Sequence, residues 1–339
     1  MKKLISLLLA VMLVTALFAA CANVAEPDAS PTPELTDEAS PTPEETPEVA
    51  PDATPESTDT TADFTEITVI DMMGREITLE KPAASIVALS PADCEIIYAL
   101  GAGDLIIGRG EFCDYPPEVL DKPSAETGYQ LNVEQVLLLN PQIIIMTTMA
   151  QSTEQVDAFD AAGIKVVVIS AQDIEGTYQA IDIIGQLVGK TQEAAALVGS
   201  MKQTFEDIKQ KSTGDGSKTV YFEVSPLEYG IWTAGSETFM DELATMLGLT
   251  NAFSDVVSWG AISQEQVIER DPDYIVTIAM YFGEGVPPVD EILGRSGWEN
   301  MKAITNGTVF NADSNEVARP GPRLVDAAQS LYDFVYGAE

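Results

Sequence analysis

The chain predicts an α/β protein of two Rossmann-like lobes, each on a central parallel sheet, joined by a long rigid helix. Three observations carry this. Residues 132–146 and 263–277 copy each other at a constant offset of 131, with Glu134, Gln135, Val136 and Pro141 recurring as Glu265, Gln266, Val267 and Pro272. Each copy has an N-cap residue (Asn132 or Ser263), a first-turn glutamate that suits the helix dipole, and a proline where the helix stops; a β-branched run then follows as a buried strand. A single repeat at this distance suits paired lobes better than a solenoid. Elsewhere short β-branched runs alternate with helical patterns, which argues for a parallel sheet covered by helices. Finally, residues 173–211 keep helical periodicity for nearly forty residues, broken only around Gly189.

Lys2, Lys3, the apolar run 4–18 and the small residues Ala19-Ala20 predict a secretory signal over residues 1–21, too short and wrongly flanked to span a membrane. Leu17-Phe18-Ala19-Ala20-Cys21 resembles the bacterial lipobox, which implies lipidation of Cys21. The alternative is an ordinary signal cut nearby. Residues 22–63 hold twelve carboxylates, no Lys or Arg, and little that is large and apolar. Such a segment cannot bury enough surface to offset ordering, so it is expected to be a disordered, semi-extended tether that holds the body off the membrane.

The net charge is −37, of which about −27 belongs to the body after the tether, and this disfavours nucleic acid and anionic membrane surfaces as partners. Besides Cys21 only Cys94 and Cys113 occur. Export permits a disulfide between them, and two free buried thiols fit equally well.

Residues 64–175 make the expected N-terminal lobe. They begin with a hairpin over 66–79, then strand 85–89, helix 91–100, strand 105–108, the first glutamate helix, strand 143–146, helix 152–162 and strand 165–169. Residues 176–213 are expected as the connecting helix. Ala194, Leu197, Met201, Phe205 and Ile208 recur three and four apart, so one face is buried. Residues 214–339 make the C-terminal lobe: strand 219–224, helix 236–247, the second glutamate helix, strand 274–278, helix 288–293, strand 308–310 and a closing helix 322–336. A weaker echo relates 95–104 to 242–251 at an offset of 147.

Ser90-Pro91-Ala92-Asp93-Cys94-Glu95, Asp114-Tyr115-Pro116-Pro117, Asn132-Val133-Glu134, Trp232-Thr233-Ala234-Gly235, Trp259 followed by Ser263-Gln264-Glu265, and Arg319-Pro320-Gly321-Pro322-Arg323 occur in this order. Together they resemble the substrate-binding lipoproteins of ABC importers for cobalamin, ferric siderophores and haem, the class III periplasmic binding proteins, across about residues 65–339. The resemblance implies a monomeric binding module, not an enzyme. It would be exported and lipid-anchored to the outer face of the cell membrane or periplasmic, capturing a ferric siderophore or corrinoid between the lobes. It further implies that Glu134 and Glu265 dock onto the permease dimer, where the plain alternative is that both only complement helix dipoles. For the ligand it points to Ser90, Phe112, Tyr115, Tyr129, Trp232, Trp259 and Arg319. Flat or bulky chelates want aromatic walls, and an Arg suits carboxylate, phosphate or hydroxamate oxygens. Trp232 and Trp259 are expected in loops and Trp298 in the core. Phe112 replaces a tyrosine of the cobalamin binder, and Gly128-Tyr129 replaces its tryptophan, which leaves siderophore and corrinoid balanced.

The chain has no histidine, so a His-rich site for bare zinc or manganese is excluded, as is haem on an axial His. No resident cofactor or metal is expected. Two other classes stand as alternatives. One is an exported hydrolytic enzyme using acid pairs such as Asp93 with Glu95 or Glu284 with Asp290. The other is a chelate sensor or adhesion lipoprotein on the same fold.

Overall fold

Two β-rich runs about Gly74 form an antiparallel hairpin, β1 (Ile67–Ile70) with β2 (Glu76–Leu79), pairing Ile67 with Leu79 and Val69 with Ile77. The computed structural model in which it is seen describes residues 66–125, 131–148, 153–281 and 283–337. The expected signal with Cys21, the tether and Tyr129 lie outside the described residues.

The N-terminal lobe follows as β3 (Ile86–Ala88), α1 (Pro91–Ala99), β4 (Ile106–Gly110), β5 (Ser124–Ala125), α2 (Val133–Leu138), β6 (Ile143–Met146), α3 (Thr153–Ala161) and β7 (Lys165–Val168). Its five strands are all parallel, in the order β5-β4-β3-β6-β7. All four residues of β6 are buried, because helices cover both faces of the sheet: Ile143 and Ile145 enter one core, Ile144 and Met146 the other.

The long helical stretch divides at Gly189, which takes φ +69°, into α4 (Ile174–Leu187) and α5 (Thr191–Lys211). The two pack side by side, and a Cβ on Gly185 would stand 2.5 Å from that of Ala194, so the approach requires glycine there. The 21-residue α5 is the connector.

The C-terminal lobe contains β8 (Thr219–Ser225), β9 (Trp232–Ala234), α6 (Phe239–Met246), β10 (Thr250–Asn251), β11 (Trp259–Ala261), α7 (Gln264–Arg270), β12 (Tyr274–Thr277), α8 (Pro288–Leu293), α9 (Lys302–Asn306), β13 (Val309–Asn311), α10 (Ser314–Val317) and α11 (Leu324–Tyr336). Its main path runs β11-β9-β8-β12-β13. This matches the N-terminal order strand for strand, and β6 and β12 stand apart by the repeat offset read from the sequence. The one inversion is β9, antiparallel to both β8 and β11.

That inversion corrects an expectation: Trp232 and Trp259 lie in strands, not loops, and pair through the ribbon Trp259 with Ala234 and Ala261 with Trp232. Three-residue strands carry too little alternation to be seen in a sequence. Strand 105–108 also moves, since residues Gly103–Leu105 take a 3-10 turn first. Helix 236–247 starts later because Thr238 caps it, its Oγ1 accepting from the Asp241 N–H at 3.3 Å. The closing helix likewise starts at Leu324 rather than Pro322.

The largest apolar cluster is shared by both lobes. Ile181 and Ile184 of α4, Met201, Phe205 and Ile208 of α5, Phe222, Leu243, Leu324 and Leu331 all belong to it. Burying each such side chain stabilises by about 1.5–3 kcal/mol, so α5 is clamped on both sides rather than left as a free linker. Separate clusters line the outer face of each sheet, and Trp298 sits fully buried in the C-terminal one, as expected.

Candidate functional site

Ligands of open α/β sheets gather beyond the carboxyl ends of the strands, and that edge carries several of the polar and aromatic residues singled out in the sequence. Ser90 follows β3, residues 112–115 follow β4, and residues 313–323 follow β13.

The centre is Glu95, on the buried face of α1 at 3% exposure. It is satisfied from the opposite lobe. Arg319 Nη1 donates to Glu95 Oε1 at 2.9 Å, while Arg323 donates through Nε to Oε2 at 2.9 Å and through Nη2 to Oε1 at 2.7 Å. Arg319 Nη1 also donates to Asp114 Oδ1 at 2.6 Å, and its Nη2 to the Phe112 carbonyl at 3.4 Å. Arg323 stacks over the Tyr115 ring, 4.1 Å from its centroid. Burial works against the Arg319 cation, yet hydrogen bonds to Asp114 and Glu95 outweigh it and raise its pKa. A loop and a helix of one lobe are thereby tied to the C-terminal segment of the other.

Beside Glu95, Asp93 is 1% exposed, and burial pushes its carboxyl up to about 8 against a smaller opposing hydrogen bond from Ser90. It is therefore mostly protonated at neutral pH. Its Oδ2 finds no partner.

Several of the sequence-predicted residues converge here. Phe112 and Tyr115 are exposed and stand at the arginine cluster, with Arg319 inside it. Ser90 is buried, its hydroxyl engaged with Asp93. Trp232 is 43% exposed at the start of β9. Trp259 stands at the other end of that ribbon, half-buried edge-on against Phe239 with ring centroids 5.7 Å apart. The turn after β9 admits only glycine, because a Cβ on Gly235 would fall 1.9 Å from the Val256 carbonyl oxygen.

Glu134 and Glu265 are both exposed on matched helices that follow the edge strands β5 and β11, so both start at the carboxyl edge of their sheets. Asn132 Oδ1 accepts from the Gln135 N–H at 3.0 Å. Ser263 and Gln266 form a full capping box. The hydrogen bond from its own backbone N–H, helped by Ser263, holds Glu265 below the usual glutamate range.

Sequence reasoning gave no role to five residues at this edge. Asp114 and Arg323 lay within quoted motifs, but neither was given a role. Tyr229 and the pair Met280 and Tyr281 are exposed after β8 and β12. The signal that could have found the last three is position alone: large apolar residues just past a buried strand.

A second carboxylate, Glu223 on β8, is buried within the C-terminal lobe, where Arg295 donates to it at 2.6 and 2.8 Å. Arg295 also bonds Glu291 and lies over the Trp298 ring at 4.6 Å.

Residues 86–316 match the periplasmic binding protein family. The chain belongs to that family. It is 33% identical to the uncharacterized ABC transporter substrate-binding lipoprotein YvrC of Bacillus subtilis, over 80% of this chain and 85% of that one. It is 27% identical to the vitamin B12-binding protein of Salmonella paratyphi A, over 74% of this chain and 89% of that one. Among solved structures, a possible iron-binding protein of Staphylococcus epidermidis superposes with a TM-score of 0.65 at 30% identity, covering 76% of this chain and all of that one. As a periplasmic binding protein the chain is an exported, non-enzymatic part of a transport system with the class III fold. The hydrolase alternative has no support: Asp93 is buried, Glu95 is spent on two arginines, and Glu284 and Asp290 are merely exposed.

Proposed function

We propose that this protein captures a metal chelate, a ferric siderophore or a corrinoid, between its lobes and delivers it to an ABC permease dimer through Glu134 and Glu265. The observation that carries the reading is the mirrored pair: one exposed glutamate at the same place in each lobe, on helices after equivalent edge strands. Relatives named for vitamin B12 binding and possible iron binding support the chelate class. So does the absence of histidine, which leaves a metal to arrive in its own chelator. Among the described residues no group of three or more Cys, Asp or Glu side chains is placed to hold a bare ion.

The ligand lies against Phe112, Tyr115, Trp232 and the solvent side of Arg319, with Ser90, Tyr129 and Trp259 as further contacts and Tyr229 and Tyr281 added from the structure. No resident cofactor takes part. The protein acts as a monomer, held to the outer face of the cell membrane by lipid on Cys21, and the tether sets its reach. Reversing both glutamates in Glu134→Lys/Glu265→Lys is expected to leave chelate affinity near normal while abolishing uptake by cells. Normal uptake in that double variant rules out the docking role.

A further inference from the structure

Cys94 lies on α1 and Cys113 on the loop after β4, and neither has any exposed surface. Both thiols donate to one acceptor, the Ala88 carbonyl at the end of β3, at 3.6 Å from Cys94 and 3.8 Å from Cys113. The two sulfurs also lie near enough to act on each other. Each cysteine immediately precedes one of the two carboxylates that grip Arg319: Cys94 precedes Glu95, and Cys113 precedes Asp114.

We propose that Cys94 and Cys113 are joined by a disulfide in the exported protein, tying α1 to the β4 loop directly behind the two acids that hold Arg319. Both S–H bonds break and one S–S bond forms. The two electrons and two protons pass to the disulfide of an exported thiol oxidoreductase, which leaves as a dithiol. Hydrogen bonding to Cys113 and burial raise the Cys94 pKa well above the ordinary thiol value, so the attacking thiolate is scarce once the fold has closed. The bond therefore forms while α1 and the loop are still open to solvent, and the native protein resists reductant until it is unfolded. This inference is independent of which chelate is bound.

Peptide mapping tests it on the full chain, exported by its own signal. The protein is quenched in acid, unfolded, alkylated with N-ethylmaleimide and cut with trypsin. Cleavage after Arg109 puts the two cysteines on separate peptides. The expected result is one cross-linked species that splits into its two peptides on reduction; N-ethylmaleimide on both peptides in most molecules overturns the proposal. A second measurement compares thermal midpoints. Cys94→Ser, Cys113→Ser and the double variant are expected to lose the same amount, as the ends of one bond do, whereas additive losses for the two single variants contradict it.

Discussion

Glu95 and Glu223 are both buried carboxylates held by guanidinium groups, but they answer to different demands. Glu223 is sealed within one lobe, where Arg295 and its own acceptors are contiguous on β8, α8 and the loop after it. Its pKa is raised chiefly by burial, even though Arg295 opposes the shift, so the pair only partly recovers the cost of leaving water. Glu95 instead draws its partners from 224 and 228 residues away, across the lobe boundary. Those arginines keep 13% and 14% of their side-chain surface, and the outer acid Asp114 keeps 47%. One cluster fixes a sheet; the other fixes how two sheets face each other, at the edge where the proposed ligand site lies.

The contrast can be broken from either side. Arg295→Met should cost most, about 3–5 kcal/mol in a denaturant titration, because it leaves Glu223 buried without a counter-charge. Chelate affinity of the folded fraction should stay within error in that variant. Glu95→Gln should cost less, about 1–3 kcal/mol, since Arg319 and Arg323 can turn to water. Its distinguishing effect is on binding: losing about 1.4 kcal/mol of lobe positioning lowers chelate affinity about tenfold, read by titration calorimetry.

Asp93 gives a pH signature. Between its usual 3.8 and about 8 the unfolded chain has lost a proton that the native chain keeps, so this group's contribution to stability falls as pH rises through that window and is flat above it. Asp93→Asn should flatten that part of the stability profile and raise the midpoint at pH 7. An unchanged slope would show that Asp93 ionises within the fold. The smallest effect is expected for Asp114→Asn, under about 1 kcal/mol, as befits a half-exposed partner.

Much of the scaffold could be read from the chain because it is written twice. The offset that matches Glu134 to Glu265 also matches Ile143–Met146 to Tyr274–Thr277, so helix, stop and buried strand were legible in both lobes. The inverted ribbon was not, since Trp-Thr-Ala and Trp-Gly-Ala are too short to show a period. Nor were the charge clusters, because pairing across more than two hundred residues leaves no local pattern. The trace that existed was Glu95 itself, a carboxylate amid Cys94, Ile96 and Ile97 on a buried helix face, which demands a cation. Arg319 was recognised for its charge, but the sequence did not reveal that Glu95 and Asp114 already hold it.

The most direct test is tryptophan fluorescence during titration of the purified full chain with cobalamin, a ferric trihydroxamate and ferric citrate, repeated on Trp232→Phe. Saturable quenching by one of these chelates, weakened in the variant, is the expected result. No saturable change with any of them, in a protein that is folded by circular dichroism, would contradict chelate capture between the lobes.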